Sequence, residues 1–314
     1  MIYFTFDPRP DLKSDLQSSL PNEQLIFAKK IDPSDFAKAE IIVSYGEDLT
    51  PENIALAQEL KWLFIASAGV EKLPLTELKE RGITVSNVRG IHKTPMAESV
   101  LGHILAHYRS LPTIYKEQTQ HNWRRKMPSK ELRGQTALIL GPGAIGGEIG
   151  RLLQAFGVQT IGCNRSKKHA PFMDRMVGFD DLLTALPTAD IVLSVLPSTP
   201  QTYHLLTTEY FLAMKEDALF LNFGRGTLVE TAVLQQALET HEIAAAVCDV
   251  FEEEPLPATS ALWQLENLTV SPHTSSHSSR YLERSFELFK RDFINYRAHK
   301  INELENLVDL TAGY

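Results

Sequence analysis

Apolar residues along the chain follow two rhythms, and the changes between them set the first expectations. Over residues 1–90, short β-rich runs at Ile2–Phe6, Gln24–Ala28, Glu40–Tyr45, Trp62–Ala66 and Ile83–Asn87 alternate with polar or helical stretches. That alternation predicts a parallel sheet covered by helices. From Pro95 the period lengthens, and Val100, Leu101, Ile104, Leu105, Tyr108 and Leu111 fall on one stripe. They predict a helix that Pro112 ends and that is long enough to cross from one domain to another. A second alternating series runs through Thr136–Leu140, Gln159–Cys163, Asp190–Leu196, Ala218–Phe223, Ala244–Val250 and Leu268–Ser271, the strand count of a complete doubly wound nucleotide domain. Leu282, Phe286, Phe289, Phe293 and Tyr296 then repeat in fours and threes, predicting a helix that returns to the first domain. The chain shows no tandem repeat and no low-complexity linker, so boundaries are expected at helical crossovers near residues 96 and 284.

Composition narrows the classes. A chain of 314 residues is longer than one core usually grows, and 43% apolar with 22% charged residues gives material for two. A net charge of -8 argues against a surface built to neutralise nucleic acid or an anionic membrane. Any anionic ligand must be met by locally placed positive charge. Cys163 and Cys248 lie in apolar runs, at a spacing that suits neither a zinc motif nor a disulfide framework. Both read as core residues of a reducing compartment. Met1–Phe6 is too short for a signal-peptide core, and no later apolar run reaches membrane-spanning length, so a cytoplasmic location is the expectation.

The apolar run Thr136–Leu140 leads into Gly141-Pro-Gly-Ala-Ile-Gly146, after which Ile145, Ile149, Leu152, Leu153 and Phe156 predict a helix with one buried face. A glycine turn between strand and helix is the context of a dinucleotide site: the turn at Gly141, pyrophosphate approach at Gly143, and helix-on-strand packing at Gly146. At the end of the next strand, where an acidic residue would accept hydrogen bonds from an adenosine ribose, the chain reads Asn164-Arg-Ser-Lys-Lys168. With no carboxylate there, Arg165, Ser166 and Lys167 would supply a guanidinium, a hydroxyl and an ammonium to a ribose 2′-phosphate. The expected cofactor is NADP, with NAD as the alternative.

Three later strand ends carry polar residues: Asn222-Phe-Gly-Arg-Gly226, Asp249-Val-Phe-Glu-Glu-Glu-Pro255 and Ser271-Pro-His273. In an open doubly wound sheet, ligands lie beyond the carboxyl ends of the strands, so all three face one place. With Ser67-Ala-Gly-Val70, Met96-Ala-Glu98, Leu196-Pro-Ser-Thr-Pro200 and Thr202, these motifs make nearly the whole chain resemble the D-isomer-specific 2-hydroxyacid dehydrogenases. That family includes glyoxylate, hydroxypyruvate and phosphoglycerate dehydrogenases.

The resemblance implies an α/β fold of two doubly wound parallel-sheet domains. A Rossmann dinucleotide-binding domain, 97–283, is inserted into a flavodoxin-like substrate domain of 1–96 and 284–314. It implies a catalytic set of Arg225, Glu254 and His273, with Asp249 holding the nicotinamide carboxamide. The cofactor-binding set is then Gly141, Gly143, Ala144, Ile145, Gly146, Arg165, Ser166, Lys167, Pro197, Thr202, Phe223 and Asp249. Ala68, Gly69 and Val70 would hold the substrate together with Arg225 and His273.

Chemistry supports the same roles. Reduction of a 2-oxo acid needs a cation to fix the carboxylate and polarise the carbonyl, which the Arg225 fork can do. Flanking Gly224 and Gly226 are expected to leave that side chain unobstructed. The forming alkoxide needs a proton, and histidine has the ordinary pKa for that exchange, with Glu254 to orient it. Glu254, before Pro255, is restricted to an extended backbone that fixes its direction. Its presence also argues, by resemblance, against the formate dehydrogenase branch.

The expected substrate is a short 2-oxo acid of the glyoxylate or hydroxypyruvate type. No added regulatory domain, of the kind some phosphoglycerate dehydrogenases carry, is expected after the return helix. A homodimer is implied by resemblance, through Pro112–Lys130 and Trp123. His273 and His277 would share a helix face, but Pro272 and the Thr-Ser-Ser between them predict a loop, so no metal site is expected. His92, His103 and His107 stand without a constellation around them. The competing function is a dinucleotide-sensing binding protein that kept the fold without catalysis, as corepressors resembling this family do. Turnover separates the two.

Overall fold

In a parallel sheet covered on both faces, every position of a strand is buried, so its sequence reads as a continuous apolar run. The runs above fold in that way. A computed structural model describes residues 1–67, 69–70 and 72–311. The chain divides into two compact units, Met1–Ile91 with Ser278–Tyr314, and His92–His277.

The first unit begins β1 (Ile2–Phe4), α1 (Pro10–Ser19), β2 (Leu25–Phe27), α2 (Pro33–Phe36), β3 (Ile41–Ser44), α3 (Pro51–Leu56), β4 (Trp62–Ile65), α4 (Leu75–Glu80) and β5 (Thr84–Asn87). Its sheet has the order β2-β1-β3-β4-β5 with parallel pairing throughout. This is the flavodoxin-like order. Ile2, Phe4, Ile41, Val43, Trp62 and Phe64 pack into one core, while Tyr3, Ile42, Leu63 and Ile65 pack into another on the opposite face. The period of two distributes an unbroken apolar run between two helix layers.

The second unit contains α5 (Lys93–Tyr108), α6 (Leu111–Thr119), β6 (Thr136–Leu140), α7 (Ala144–Ala155), β7 (Gln159–Cys163), β8 (Arg175–Val177), α8 (Leu182–Ala185), β9 (Ile191–Ser194), α9 (Thr208–Leu212), β10 (Leu219–Asn222), α10 (Thr231–Glu239), β11 (Ala245–Cys248) and β12 (Leu268–Val270). The sheet order β12-β11-β10-β9-β6-β7-β8 is the Rossmann order with an added edge strand. Its core is again split, with Leu138, Leu140, Val192 and Phe220 on one face and Ile139, Ile191, Leu193 and Leu221 on the other. Both cysteines are buried and free, and burial pushes each thiol up to about 12, so neither ionises near neutrality.

Three local expectations need correction, and one strand was not expected. Pro112 does not end a helix; it sits in the first turn of α6, where a missing N–H costs no hydrogen bond. The break falls at Ser110, whose φ of 53° is left-handed. The whole of α5 packs on the second unit through Met96, Ala97, Val100, Ile104 and Tyr108, so it is not a crossing helix. Strand β8 had no apolar alternation to reveal it: it is a three-residue edge strand that starts at an exposed arginine. Phe156, expected on the buried face of α7, is its C-cap and is 43% exposed.

After the second unit the chain returns in α11 (Tyr281–Arg297). Phe286, Phe289, Phe293 and Tyr296 join the core of the first sheet, where the Trp62 ring stacks on Phe289 at 5.4 Å and on Tyr296 at 5.0 Å. Ser285 and Asp292 of the same helix are also fully buried. Asp292 Oδ1 accepts from Glu305 N at 2.8 Å, but Oδ2 has no partner among the described residues. Burial pushes this carboxyl from 3.8 up to about 6. The folded chain therefore holds the proton more tightly than the unfolded chain between about pH 4 and pH 6, and stability is lost as pH rises through that window. Asp292→Asn should gain about 1–3 kcal/mol at pH 8, after allowing for solvent screening, and much less at pH 4. Urea denaturation of both proteins at the two pH values checks this; an equal difference at both contradicts it.

Candidate active site

Seven parallel strands in register bring six of the chain's singled-out segments to one edge. Cys163 pairs with Leu140, Leu140 with Ser194, Ser194 with Asn222, Asn222 with Cys248, and Cys248 with Val270. These residues close β7, β6, β9, β10, β11 and β12, so the segments that follow all leave the same edge of the sheet. They are Asn164–Lys168, the glycine turn, Val195–Pro200, Phe223–Gly226, Asp249–Pro255 and Ser271–His273. Reversal of strand order between β6 and β9 makes this edge the ligand position of an open α/β sheet.

The glycine turn fits a dinucleotide. Gly141, at φ 91°, turns the chain out of β6, and its N–H donates to Cys163 O at 3.0 Å. A Cβ at Gly146 would lie 2.4 Å from Gly141 O, closer than any side chain tolerates, whereas no atom lies within 4 Å of one at Gly143. The first contact explains tight packing of α7 on the strand; the second leaves open space at the helix N-terminus, beside Ala144 and Ile145. There the first N–H groups and the helix dipole favour an anion.

The basic segment after β7 divides. Arg165 is exposed and makes no hydrogen bond or ion pair among the described residues, which leaves its guanidinium available. Ser166 Oγ lies 3.4 Å from Asn164 Oδ1. Lys167, expected to stand beside Arg165 for a phosphate, is paired with Asp181 at 2.8 Å. Exposed pairs of this kind are weak and salt-screened, so the ammonium is engaged but exchangeable.

The loops after β9, β10 and β11 are braced against one another. Thr202, expected to touch cofactor, has its hydroxyl committed to Pro197 O at 2.6 Å, while Thr199 N donates to it at 2.9 Å. His204 Nε2 lies 2.8 Å from Glu252 and Nδ1 lies 3.1 Å from Glu230, while its N–H donates to Thr227 O at 2.8 Å. Burial works to raise the Glu252 carboxyl, but donors from Thr231 and His204 outweigh it and hold it below the ordinary glutamate range. His204 had no sequence signal, since its two carboxylate partners are far along the chain.

Arg225 follows β10 and is exposed, with Nη1 donating to Gly224 O at 2.8 Å. Asn222 shapes this turn: its Nδ2 donates to Arg225 O at 3.0 Å and its Oδ1 accepts from Gly224 N at 3.2 Å. Gly224 and Gly226 serve a different purpose from the one expected. A Cβ at Gly226 would lie 1.9 Å from the Phe251 carbonyl, and one at Gly224 would lie 2.5 Å from Leu196 O. Neighbouring loops pass too close for side chains, so the glycines join the three loops rather than clear space for arginine.

Glu254 and His273, nineteen residues apart, meet directly: His273 Nδ1 lies 2.7 Å from Glu254 Oε2. Glu254 Oε1 accepts from Phe251 N at 2.9 Å, which fixes the carboxylate within its own loop. A carboxylate only accepts, so the imidazole proton sits on Nδ1 and Nε2 is the free ring nitrogen. The histidine side chain is 52% exposed and that of Glu254 35% exposed, which leaves the imidazole reachable. Among the described residues, Arg225 makes no hydrogen bond or ion pair with either. Asp249 is buried, and its carboxylate accepts from Ser271, Thr274 and Ser275. Phe223 is also buried, with its ring centroid 5.9 Å from that of His103. Burial lowers the His103 pKa against the opposing charge of Asp249, so this histidine belongs to the same neighbourhood. His277 lies in the loop before α11, as its flanking residues predict.

In the first unit, β4 ends at Ile65 and is followed by Ala66, whose carbonyl accepts from Tyr281 Oη at 2.7 Å. Ser67 Oγ donates to Gly69 O at 2.9 Å, and Val70 is buried in the core. Ala68 lies outside the described residues. A cavity of about 390 Å³ is lined by Tyr45, Gly46, Ser67, Gly69, Val70 and Lys72.

Comparison with known proteins gives one family. The D-isomer specific 2-hydroxyacid dehydrogenase NAD binding domain matches residues 101–275. Glyoxylate reductase of Thermofilum pendens is 31% identical over 267 residues, 82% of this chain and 78% of that enzyme. A D-isomer specific 2-hydroxyacid dehydrogenase family protein of Aeromonas salmonicida superposes with a TM-score of 0.82 at 31% identity, covering 98% of each chain. NADPH-dependent glyoxylate/hydroxypyruvate reductase of Sinorhizobium meliloti, in complex with NADP and sulfate, superposes with a TM-score of 0.78 at 25% identity, over 100% of this chain and 99% of that one. Among the described residues no helix is long and apolar enough to cross a membrane. A domain match across more than half the chain, together with relatives that share both units, shows that it belongs to the D-isomer specific 2-hydroxyacid dehydrogenase family, nicotinamide-dependent oxidoreductases of small 2-hydroxy and 2-oxo acids.

Proposed function

We propose that this protein reduces a short 2-oxo acid, of the glyoxylate or hydroxypyruvate type, to the D-2-hydroxy acid with NADP(H) preferred over NAD(H). The observation that carries the reading is the 2.7 Å hydrogen bond between His273 and Glu254. It leaves the histidine's other nitrogen free at the edge of the nucleotide sheet.

Gly141, Gly143, Ala144, Ile145 and Gly146 would hold the dinucleotide pyrophosphate, with Pro197, Thr202, Phe223 and Asp249 near the rest. When bound, the reduced nicotinamide supplies a hydride. Arg225 fixes the substrate carboxylate and polarises the carbonyl through its planar fork. The Gly69 and Val70 amides are read as further donors to that carboxylate. His273 Nε2 gives its proton to the oxygen as the carbonyl becomes an alkoxide, and Glu254 stabilises the charged ring before transfer. In the oxidative direction neutral His273 accepts the hydroxyl proton. Support for NADP comes from the Arg165 guanidinium after β7, unpaired among the described residues, and from the lack of a carboxylate in Asn164–Lys168 at the end of that strand. A homodimer through 112–130 is part of the reading, supported by Trp123 at 90% exposure in that segment.

Purified protein should oxidise NADPH with glyoxylate, hydroxypyruvate or pyruvate in a steady-state assay. No turnover with either NADPH or NADH across that panel sinks the enzyme reading and leaves a dinucleotide-binding protein. His273→Ala should lower kcat by about two to four orders of magnitude with dinucleotide binding kept. Near-normal turnover would place the acid elsewhere. Arg165→Ala should lower the NADPH-over-NADH ratio of kcat/KM by about 10- to 100-fold, as expected for one charge-assisted hydrogen-bonding group. An unchanged ratio removes Arg165 from cofactor selection.

A further inference from the structure

Asp249 carries a buried carboxylate that is met by no cation among the described residues. Such a charge persists only if hydrogen bonds replace its lost hydration. All of its donors come from one short loop. Oδ1 accepts from Ser271 Oγ, from Thr274 N at 3.0 Å and from Ser275 N at 3.3 Å. Oδ2 accepts from Ser275 Oγ and shares Ser275 N at 3.3 Å. The backbone continues the clasp, with His273 N donating to Asp249 O at 2.9 Å.

The residue inside this clasp is His273, and its backbone is in the left-handed region, at φ 52°. A non-glycine residue stays there only where its surroundings over-determine it. Donors on both sides of His273 do so, since Ser271 lies before it and Thr274 and Ser275 after it. Glu254 holds the ring, whereas among the described residues none of 250–255 bonds to the backbone of residues 271–275. Ring and backbone are thus fixed by two different carboxylates.

We propose that Asp249 is a positioning residue, whose carboxylate clasps Ser271, Thr274 and Ser275 and so sets where His273 presents Nε2. This goes beyond the carboxamide contact implied by resemblance, and it rests on the reading of His273 as the proton donor. The two roles differ in what they predict. A carboxamide ligand acts on dinucleotide affinity, whereas a clasp acts on rate at unchanged affinity. It also acts through the serine donors, which a carboxamide contact does not need.

Because Asp249→Ala removes a buried network and can fail to fold, the test uses the donors. Ser271→Ala/Ser275→Ala leaves Asp249, Glu254 and His273 in place. Three quantities are measured on the full chain: kcat with the best oxo acid, NADPH affinity by fluorescence titration, and hydrogen exchange of the 273–275 amides. The clasp predicts that kcat falls about 10- to 100-fold, the loss expected from a misplaced catalytic group. NADPH affinity should stay within about twofold, and exchange at Thr274 and Ser275 should quicken by about tenfold or more. Ser275→Thr, which keeps the hydroxyl, should retain most of the rate. The proposal is overturned if the double variant keeps wild-type kcat, if affinity falls while kcat holds, or if exchange is unchanged. Should the wild type lack turnover, the functional reading fails by itself, while the exchange measurement still decides whether the clasp exists.

Discussion

The parallel ladder of the second sheet, in register from Cys163 through Leu140, Ser194 and Asn222 to Val270, is the constraint on which the site depends. Parallel strands cannot be joined by tight hairpins, so each must be reached by a crossover over the sheet's face. Every strand then ends at the same edge, and whatever follows it is delivered there. Residues more than a hundred positions apart, such as Gly141 and His273, become neighbours of one sheet edge by topology alone. The apolar runs that build the ladder carry no chemistry; they decide where chemistry can be placed.

At that edge, hydrogen bonds rather than apolar packing decide the fine arrangement. One acidic loop supplies three carboxylates with three different partners. Asp249 takes the loop of residues 271–275, Glu252 takes His204 and the start of α10, and Glu254 takes the His273 ring. Close approach ties the same loops together, since Gly226 admits the Phe251 carbonyl where any side chain would collide. The result is a set of loops whose backbone is fixed by neighbours on either side. Their half-exposed ends, Arg225 and His273, are left facing solvent. Preorganisation of this kind lets a few exposed groups act without first being ordered.

Strands of continuous apolar sequence were legible because burial on both faces leaves one pattern, and every such run is a strand within two residues of its expected ends. The glycine turn was legible because its context is local: strand, turn and helix are adjacent in sequence. Failures came where the deciding contact is distant or the element is short. Pro112 reads as a stop until Ser110 is seen to make the break, and β8 is too brief to show a period. His204, Asp181 and Ser275 have partners 14 to 48 residues away, with side chains that are common in loops. The purpose of Gly224 and Gly226 was misread for the same reason, because Leu196 and Phe251 are distant in sequence and near in space.

On the proposed function, Glu254 works through His273 and not beside it. Single-turnover rates of Glu254→Gln, His273→Ala and the double variant, each with reduced dinucleotide already bound, test that claim most directly. If the carboxylate acts only by orienting and charging the imidazole, removing it from the His273→Ala protein should change the rate by no more than about twofold, so the losses are strongly non-additive. Losses that multiply would show that Glu254 and His273 act independently and would contradict the account.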